Sequence, residues 1–214
     1  MKVEIWADIA CPWCYVGRAR FDRGLAAFAR RDQVEVVHRS YELNPQAQNG
    51  DVPIIDAVAA QYGRSREQQV AREEQAASMA ASVGLDFRIG GRVFGNTFDV
   101  HRLIHFARTR GVHDQLLDLA FRVNFAEERS IYDRQTLLDV AVEAGLGAEE
   151  ALRVIDDPEA HAAQVRADER LASELGVSGV PFFVLSRRYG ISGVQSVETF
   201  TRTLEQAWTE QTTA

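Results

Sequence analysis

Two cysteines stand three positions apart in Cys11-Pro12-Trp13-Cys14, and the 214-residue chain holds no others. The thiolate is the reactive form of cysteine. A helix N-terminus stabilises it through unpaired backbone N–H groups and the positive end of the helix dipole. Pro12 suits a first helical position, where its missing N–H would have had no partner anyway. The motif therefore predicts thiol–disulfide exchange, in which Cys11 attacks and Cys14 resolves the mixed disulfide. Helical spacing carries Cys14, Phe21, Leu25 and Phe28 onto one inward face, with Gly17 on the same side permitting close approach to a sheet. Cys11 is expected at the exposed end of that helix. Trp13, between the two thiols, would modify their exposure and offer substrate an apolar contact. Asp8 is a candidate proton relay for Cys14; its plainer reading is a polar strand end.

Other chemistries fit less well. A Cys-X-X-Cys pair is also a zinc half-site, but zinc needs two more ligands and no further cysteine exists to supply them. His101 and His105 lie one helical turn apart, yet Arg102 follows His101, so the metalloprotease pattern is missing and no metal is expected. Gly90-Gly91 lacks the context of a phosphate loop. A net charge of −7 argues against a nucleic-acid partner. No window approaches the roughly 18 apolar residues of a membrane helix, so no membrane partner is expected. Lys2, Glu4 and Asp8 interrupt any apolar leader, which points to a reducing, cytoplasmic location.

The elements that must hold the motif follow from local pattern. Strands are predicted at 3–7 and 34–38, the second ended by a turn at Asn44-Pro45. Between Ile54 and Leu175 the pattern is helical. Ser65 with Gln68 forms a capping box for a helix that Gly84 ends. After a glycine-rich loop at 86–95, helices are predicted at 97–110, 114–128, 133–144 and 148–155. Asp157-Pro158 would open another helix, reaching 175. Strand character returns at 182–185, Arg187-Arg188 makes a hairpin turn into 189–192, and Ser196 caps a final helix to 208. The predicted class is α/β, a small sheet with helices on its faces, interrupted by a helical insertion.

Pro181, just before an apolar strand, is barred from the interior of a sheet ladder and must sit at a strand start. A Cys-X-X-Cys at the first helix and a Val180-Pro181 before a late strand resemble the thioredoxin fold. That resemblance implies a cis proline against the cysteine pair, with the backbone of Val180 free to pair with an extended substrate. The match is closer to one branch. The segment from Asp8 to Gly17, Tyr41-Glu42-Leu43-Asn44-Pro45, the segment from Asn96 to Leu103, and the segment from Gly176 to Gln195 are similar to FrnE-like DsbA-family oxidoreductases. The resemblance implies a DsbA-like thioredoxin fold with a large α-helical insertion, residues 1–50 and 160–214 forming the thioredoxin-like domain and 51–159 the insertion. It implies catalytic roles for Cys11 and Cys14 and a substrate-binding role for Pro12, Trp13, Val180 and Pro181. Asn96 and His101 are candidate groove-lining residues. The substrate would be a protein or small molecule bearing thiols or a disulfide, with a redox-active disulfide and no tightly bound cofactor. Related 2-hydroxychromene-2-carboxylate isomerases and kappa-class glutathione transferases have serine where Cys11 stands and use glutathione. Glutathione is therefore a candidate co-substrate, and a glutathione-dependent isomerase or transferase is the alternative activity. One local departure is Arg187-Arg188, where relatives would carry Asn-Gly.

Overall fold

The computed structural model describes residues 1–127 and 129–212. Its contacts divide the chain into two compact units, Met1–Leu43 with Asp168–Ala214, and Asn44–Ala167.

The first unit is built on a four-stranded sheet in the order β2-β1-β3-β4. Its strands are β1 (Lys2–Ala7), β2 (Glu35–Ser40), β3 (Phe182–Leu185) and β4 (Tyr189–Ser192). β1 runs parallel to β2 and antiparallel to β3, and β3 pairs antiparallel with β4. The period-2 alternation of β1 decides what each face holds. Val3 and Ile5 join Phe183 and Leu185 of β3 in one core, packed with Phe21 and Phe28 of α1 (Pro12–Ala27) and with Phe200 and Leu204 of α9 (Val197–Thr212). Phe21, Phe183 and Phe200 meet with ring centroids 4.7–5.6 Å apart. Each such buried side chain contributes about 1.5–3 kcal/mol. Where α1 crosses α9, a Cβ on Gly24 would lie 2.8 Å from Phe200 Cβ, so only glycine allows that approach.

The opposite face of β1 carries Trp6, packed with Ala172, Val177 and Val184, and one charged residue, Glu4. Only 1% of Glu4 is exposed. Its carboxylate accepts hydrogen bonds from the guanidinium groups of Arg39 and Arg187. Arg39 also donates to Asp168 of α8 (Ala162–Glu174) at 2.8 Å. Burial pushes the Glu4 carboxyl up, but the two arginines outweigh it and hold the group below its ordinary value. A carboxyl depressed on folding contributes stability that is present above its unfolded pKa and is lost as pH falls through the folded one. Thermal midpoints taken from about pH 6 down to pH 3 should therefore drop, and Glu4→Gln should flatten that slope. An unchanged slope in the variant would remove Glu4 from the acid response.

The second unit contains α2 (Ile54–Gln61), α3 (Arg66–Ala81), α4 (Phe98–Arg110), α5 (His113–Ala126), α6 (Arg134–Glu143), α7 (Ala148–Asp156) and the first turns of α8. The Ser65–Gln68 capping box is formed in full. The expected end of the fifth helix at Glu128 lies outside the described residues. Two local expectations are corrected. Asp157-Pro158 does not open α8, which begins four residues after Pro158. The Asp157 side chain accepts from the Glu159 N–H in a local turn, His161 adopts φ 61°, and Arg102 gathers the carbonyls of Val154, Ile155, Asp157 and Ala160. That guanidinium, 1% exposed, satisfies the orphan carbonyls ending α7 and pins the connection out of helical geometry. The β3–β4 turn is also displaced by one residue. Its central positions are Ser186 and Arg187, both at positive φ (51° and 56°), closed by the Arg188 N–H to the Leu185 carbonyl.

Candidate active site

α1 begins where the sequence places it. Cys11 is the N-cap, in extended conformation, and Pro12 takes the first helical position. The Cys14 and Tyr15 N–H groups both donate to the Cys11 carbonyl, at 3.0 and 3.3 Å. Both thiols are free. Cys14 is fully buried on the inward face. Burial first, then its hydrogen bond to the Cys11 sulfur and the charge there, hold the Cys14 thiol well above its ordinary value. A hydrogen bond from the Asp8 backbone works in the opposite sense.

Cys11 departs from expectation. Rather than standing exposed, it is 2% accessible, and its Sγ lies 3.7 Å from the Val180 carbonyl oxygen. Residue 11 ends a tight turn (Cys11 N–H to Asp8 carbonyl, 3.1 Å), which draws the thiol under the β3 approach instead of out from the helix end. Pro12 and Trp13 are half-buried.

The Val180–Pro181 bond is cis, as the resemblance implied. Pro181 is buried and anchored from two sides. Its carbonyl accepts the Gly193 N–H at 2.9 Å, and its ring rests against Gly17, where a Cβ would stand 2.9 Å from Pro181 Cγ. Gly17 thus sets how closely α1 approaches the proline. Gly17→Ala should shift Pro181 by a few tenths of an ångström and lower any turnover that depends on Cys11 several-fold, with little loss of stability, since the proline follows Val180, whose carbonyl meets the candidate thiol, and lies outside the main core. Steady-state insulin reduction alongside a melting curve checks this; equal losses in both would make Gly17 a packing residue only.

Asp8 lies at the end of β1 and is 1% exposed. Its carboxylate accepts the Ala10 N–H at 3.2 Å and the Leu43 N–H at 2.7 Å. These bonds tie the turn before Cys11 to the chain leaving β2, and Asp8 lies near enough to act electrostatically on Cys14. Asn96 and His101 belong to the second unit. Asn96 serves structure there: its side chain accepts the Phe98 N–H at 2.8 Å in the turn leading into α4 and donates to the Pro45 carbonyl at 3.4 Å. His101 is buried in α4.

Sequence reasoning missed Asp168. Its two carboxylate oxygens accept from Arg39 and from the Ser40 N–H, while its backbone carbonyl accepts the Trp6 indole N–H at 2.9 Å. The signal was present: Val165, Asp168 and Ala172 follow helical spacing and all are buried, so an acidic residue interrupts an apolar stripe. A carboxylate in that position requires a buried partner.

Comparison with known proteins agrees with this geometry. Residues 2–205 match the DSBA-like thioredoxin domain family. The probable DsbA oxidoreductase SCO1869 from Streptomyces coelicolor is 56% identical, with a TM-score of 0.94 over 98% of this chain and 91% of that one. The cytosolic disulfide reductase DsbM from Pseudomonas aeruginosa, solved with GSH, shares the fold at 18% identity and a TM-score of 0.64, over 100% of this chain and 98% of that one. A 2-hydroxychromene-2-carboxylate isomerase shares it at 13% identity and a TM-score of 0.71, over 99% and 98% of the two chains. Among the described residues no helix is long and apolar enough to cross a membrane.

Proposed function

Because the chain belongs to the DSBA-like thioredoxin domain family and is a DsbA-like disulfide oxidoreductase, we propose that its Cys-Pro-Trp-Cys motif exchanges a dithiol for a disulfide in two steps. In the reducing direction the Cys11 thiolate attacks a substrate disulfide. A Cys11–substrate S–S bond forms, the substrate S–S bond breaks, and one substrate thiolate leaves. Cys14, once deprotonated, attacks the Cys11 sulfur, expels the second substrate thiolate and closes the Cys11–Cys14 disulfide. Two electrons pass from the cysteine pair to the substrate, and the oxidising direction is the reverse. The observation that carries this reading is the pairing of a helix-capping Cys11 with a buried Cys14 thiol on the first turn of the same helix.

The Val180 carbonyl lies 3.7 Å from the Cys11 sulfur, and the Val180 backbone, next to Pro181, is the proposed anchor for an extended substrate. Asp8, buried below the motif, is the proposed acceptor of the Cys14 proton. Residues 51–159, which lie within the Asn44–Ala167 unit, are proposed to act as a helical insertion in a thioredoxin-like unit. A cytoplasmic location and glutathione as co-substrate are further parts of the proposal, supported by the cytosolic relative solved with GSH. The presence of both cysteines favours redox exchange over glutathione-dependent isomerisation. Equilibrating the protein with glutathione redox buffers tests the proposal. A two-electron transition of the Cys11–Cys14 pair, together with catalysed insulin reduction, is expected; a pair that never forms a disulfide across the accessible range would overturn it.

A further inference from the structure

The β3–β4 turn and the start of β1 form a separate concavity, and we propose that it binds a phosphoryl group of a small metabolite. This cleft, of about 360 Å³, is lined by Lys2, Glu4, Ser186, Arg187, Arg188 and Gln211. It lies at the start of β1, whereas the cysteine motif follows the end of that strand. The six residues of β1 set the two roughly 17 Å apart.

The polar groups of the cleft are unevenly spent. Glu4, the one carboxylate among the described residues that line it, is buried and turned onto Arg39 and Arg187, so its charge is neutralised from within the fold. Arg187 uses Nε and one terminal nitrogen on Glu4. Among the described residues its Nη1 and the Lys2 ammonium have no hydrogen-bond or ion-pair partner. Arg188 makes one long hydrogen bond, to the Glu210 carbonyl at 3.5 Å, and its charge also acts on the Glu210 carboxylate and the Tyr189 hydroxyl. The nearby Glu210 carboxylate is engaged by Tyr189 and Gln206. The Ser186 hydroxyl donates to Gln211 Oε1, which leaves the Gln211 amide N–H groups available. On a chain of net charge −7, this corner gathers three cations and an amide donor around one open space.

The backbone supplies a second reason. The connection is three residues long, 186–188, and two successive turn positions at positive φ normally take Asn or Gly, which adopt that backbone with little strain. Ser186 and Arg187 hold it at 51° and 56°. Left-handed backbone is strained for a residue that carries a Cβ. The hairpin pairing does not require a guanidinium there, and Glu4 already has Arg39. A strained arginine with unspent donors beside a lysine fits a ligand rich in oxygen acceptors and negative charge. A phosphoryl group meets both needs, since a planar guanidinium can grip two of its oxygens while an ammonium takes a third.

Titration calorimetry of the full chain with inorganic pyrophosphate tests the proposal. Saturable one-to-one binding that weakens as salt rises is expected. The double variant Lys2→Gln/Arg188→Gln keeps the Arg187–Glu4 pair and should fold normally, with insulin reduction unchanged and affinity reduced about ten-fold or more. Arg187→Gly, which relieves the backbone, should lose affinity as well. Absence of saturable binding by the wild type, or equal affinity in the double variant, would overturn the site. Neither result bears on the cysteine chemistry, which is read separately in the same preparations.

Discussion

Cys11→Ser is expected to bring insulin reduction down to background, a loss on the order of a thousand-fold or more, while Cys14→Ser accumulates a covalent adduct. The two outcomes differ because the proposed mechanism gives the sulfurs different tasks. A serine hydroxyl at position 11 cannot attack a disulfide at neutral pH, so no mixed disulfide forms. A serine at position 14 leaves the first step intact and removes the resolving thiol, so the adduct persists and appears by non-reducing electrophoresis or intact mass. The burial of Cys14 adds a kinetic signature. Burial, the largest of the causes that raise its thiol, persists in the mixed disulfide although the Cys11 charge does not, so the thiolate needed for resolution stays disfavoured at neutral pH. In single turnover the resolution rate should therefore climb with pH, by up to about ten-fold per unit while the thiol remains mostly protonated. Insulin reduction that survives Cys11→Ser would remove the thiol mechanism and leave a glutathione-dependent activity as the better reading.

Asp168→Ala should be the most destabilising single change in the sheet unit outside its aromatic core. Asp168 is 2% exposed and holds the Arg39 guanidinium at 2.8 Å and the Ser40 N–H at 3.0 Å. Removing the carboxylate leaves a buried backbone donor unsatisfied and a partly buried arginine with only Glu4. Breaking one side of a buried pair costs about 3–5 kcal/mol. The lower end applies here because Arg39 keeps Glu4 and is 20% exposed. For a chain of this length about 3 kcal/mol corresponds to a fall in Tm of roughly 6–12 °C. Asp168→Asn should lose about half as much, since an amide oxygen still accepts from Ser40 but carries no charge for Arg39. Calorimetry measures both. An alanine variant within about 1 kcal/mol of wild type would show that the network adds little net stability.

Local chemistry made the redox motif legible. Pro12 at the first helical position follows from its missing N–H, and the inward position of Cys14 follows from helical spacing. The alternation of Val3 and Ile5 against Glu4 and Trp6 already splits β1 between two faces. Family resemblance, not spacing, supplied the cis bond before Pro181. The departures share a cause. Cys11 is buried because Asp8 and the β3 approach, both distant from the helix dipole in kind if not in sequence, fold the turn under Val180. The helix expected from Asp157 starts late because Arg102, more than fifty positions earlier, takes the carbonyls it would have used.

What the sequence determined by itself was the candidate cysteine pair and the helix that begins with it, because N-capping, proline placement and side-chain periodicity act within a few residues. What only the tertiary structure decided was the environment of that pair and the charges under the sheet. Cys11 against Val180, Gly17 against Pro181, and Glu4 between Arg39 and Arg187 each join residues brought together by strand pairing and helix packing. Burial and electrostatic pairing depend on distance through space, and no local pattern fixes that distance before the chain has folded.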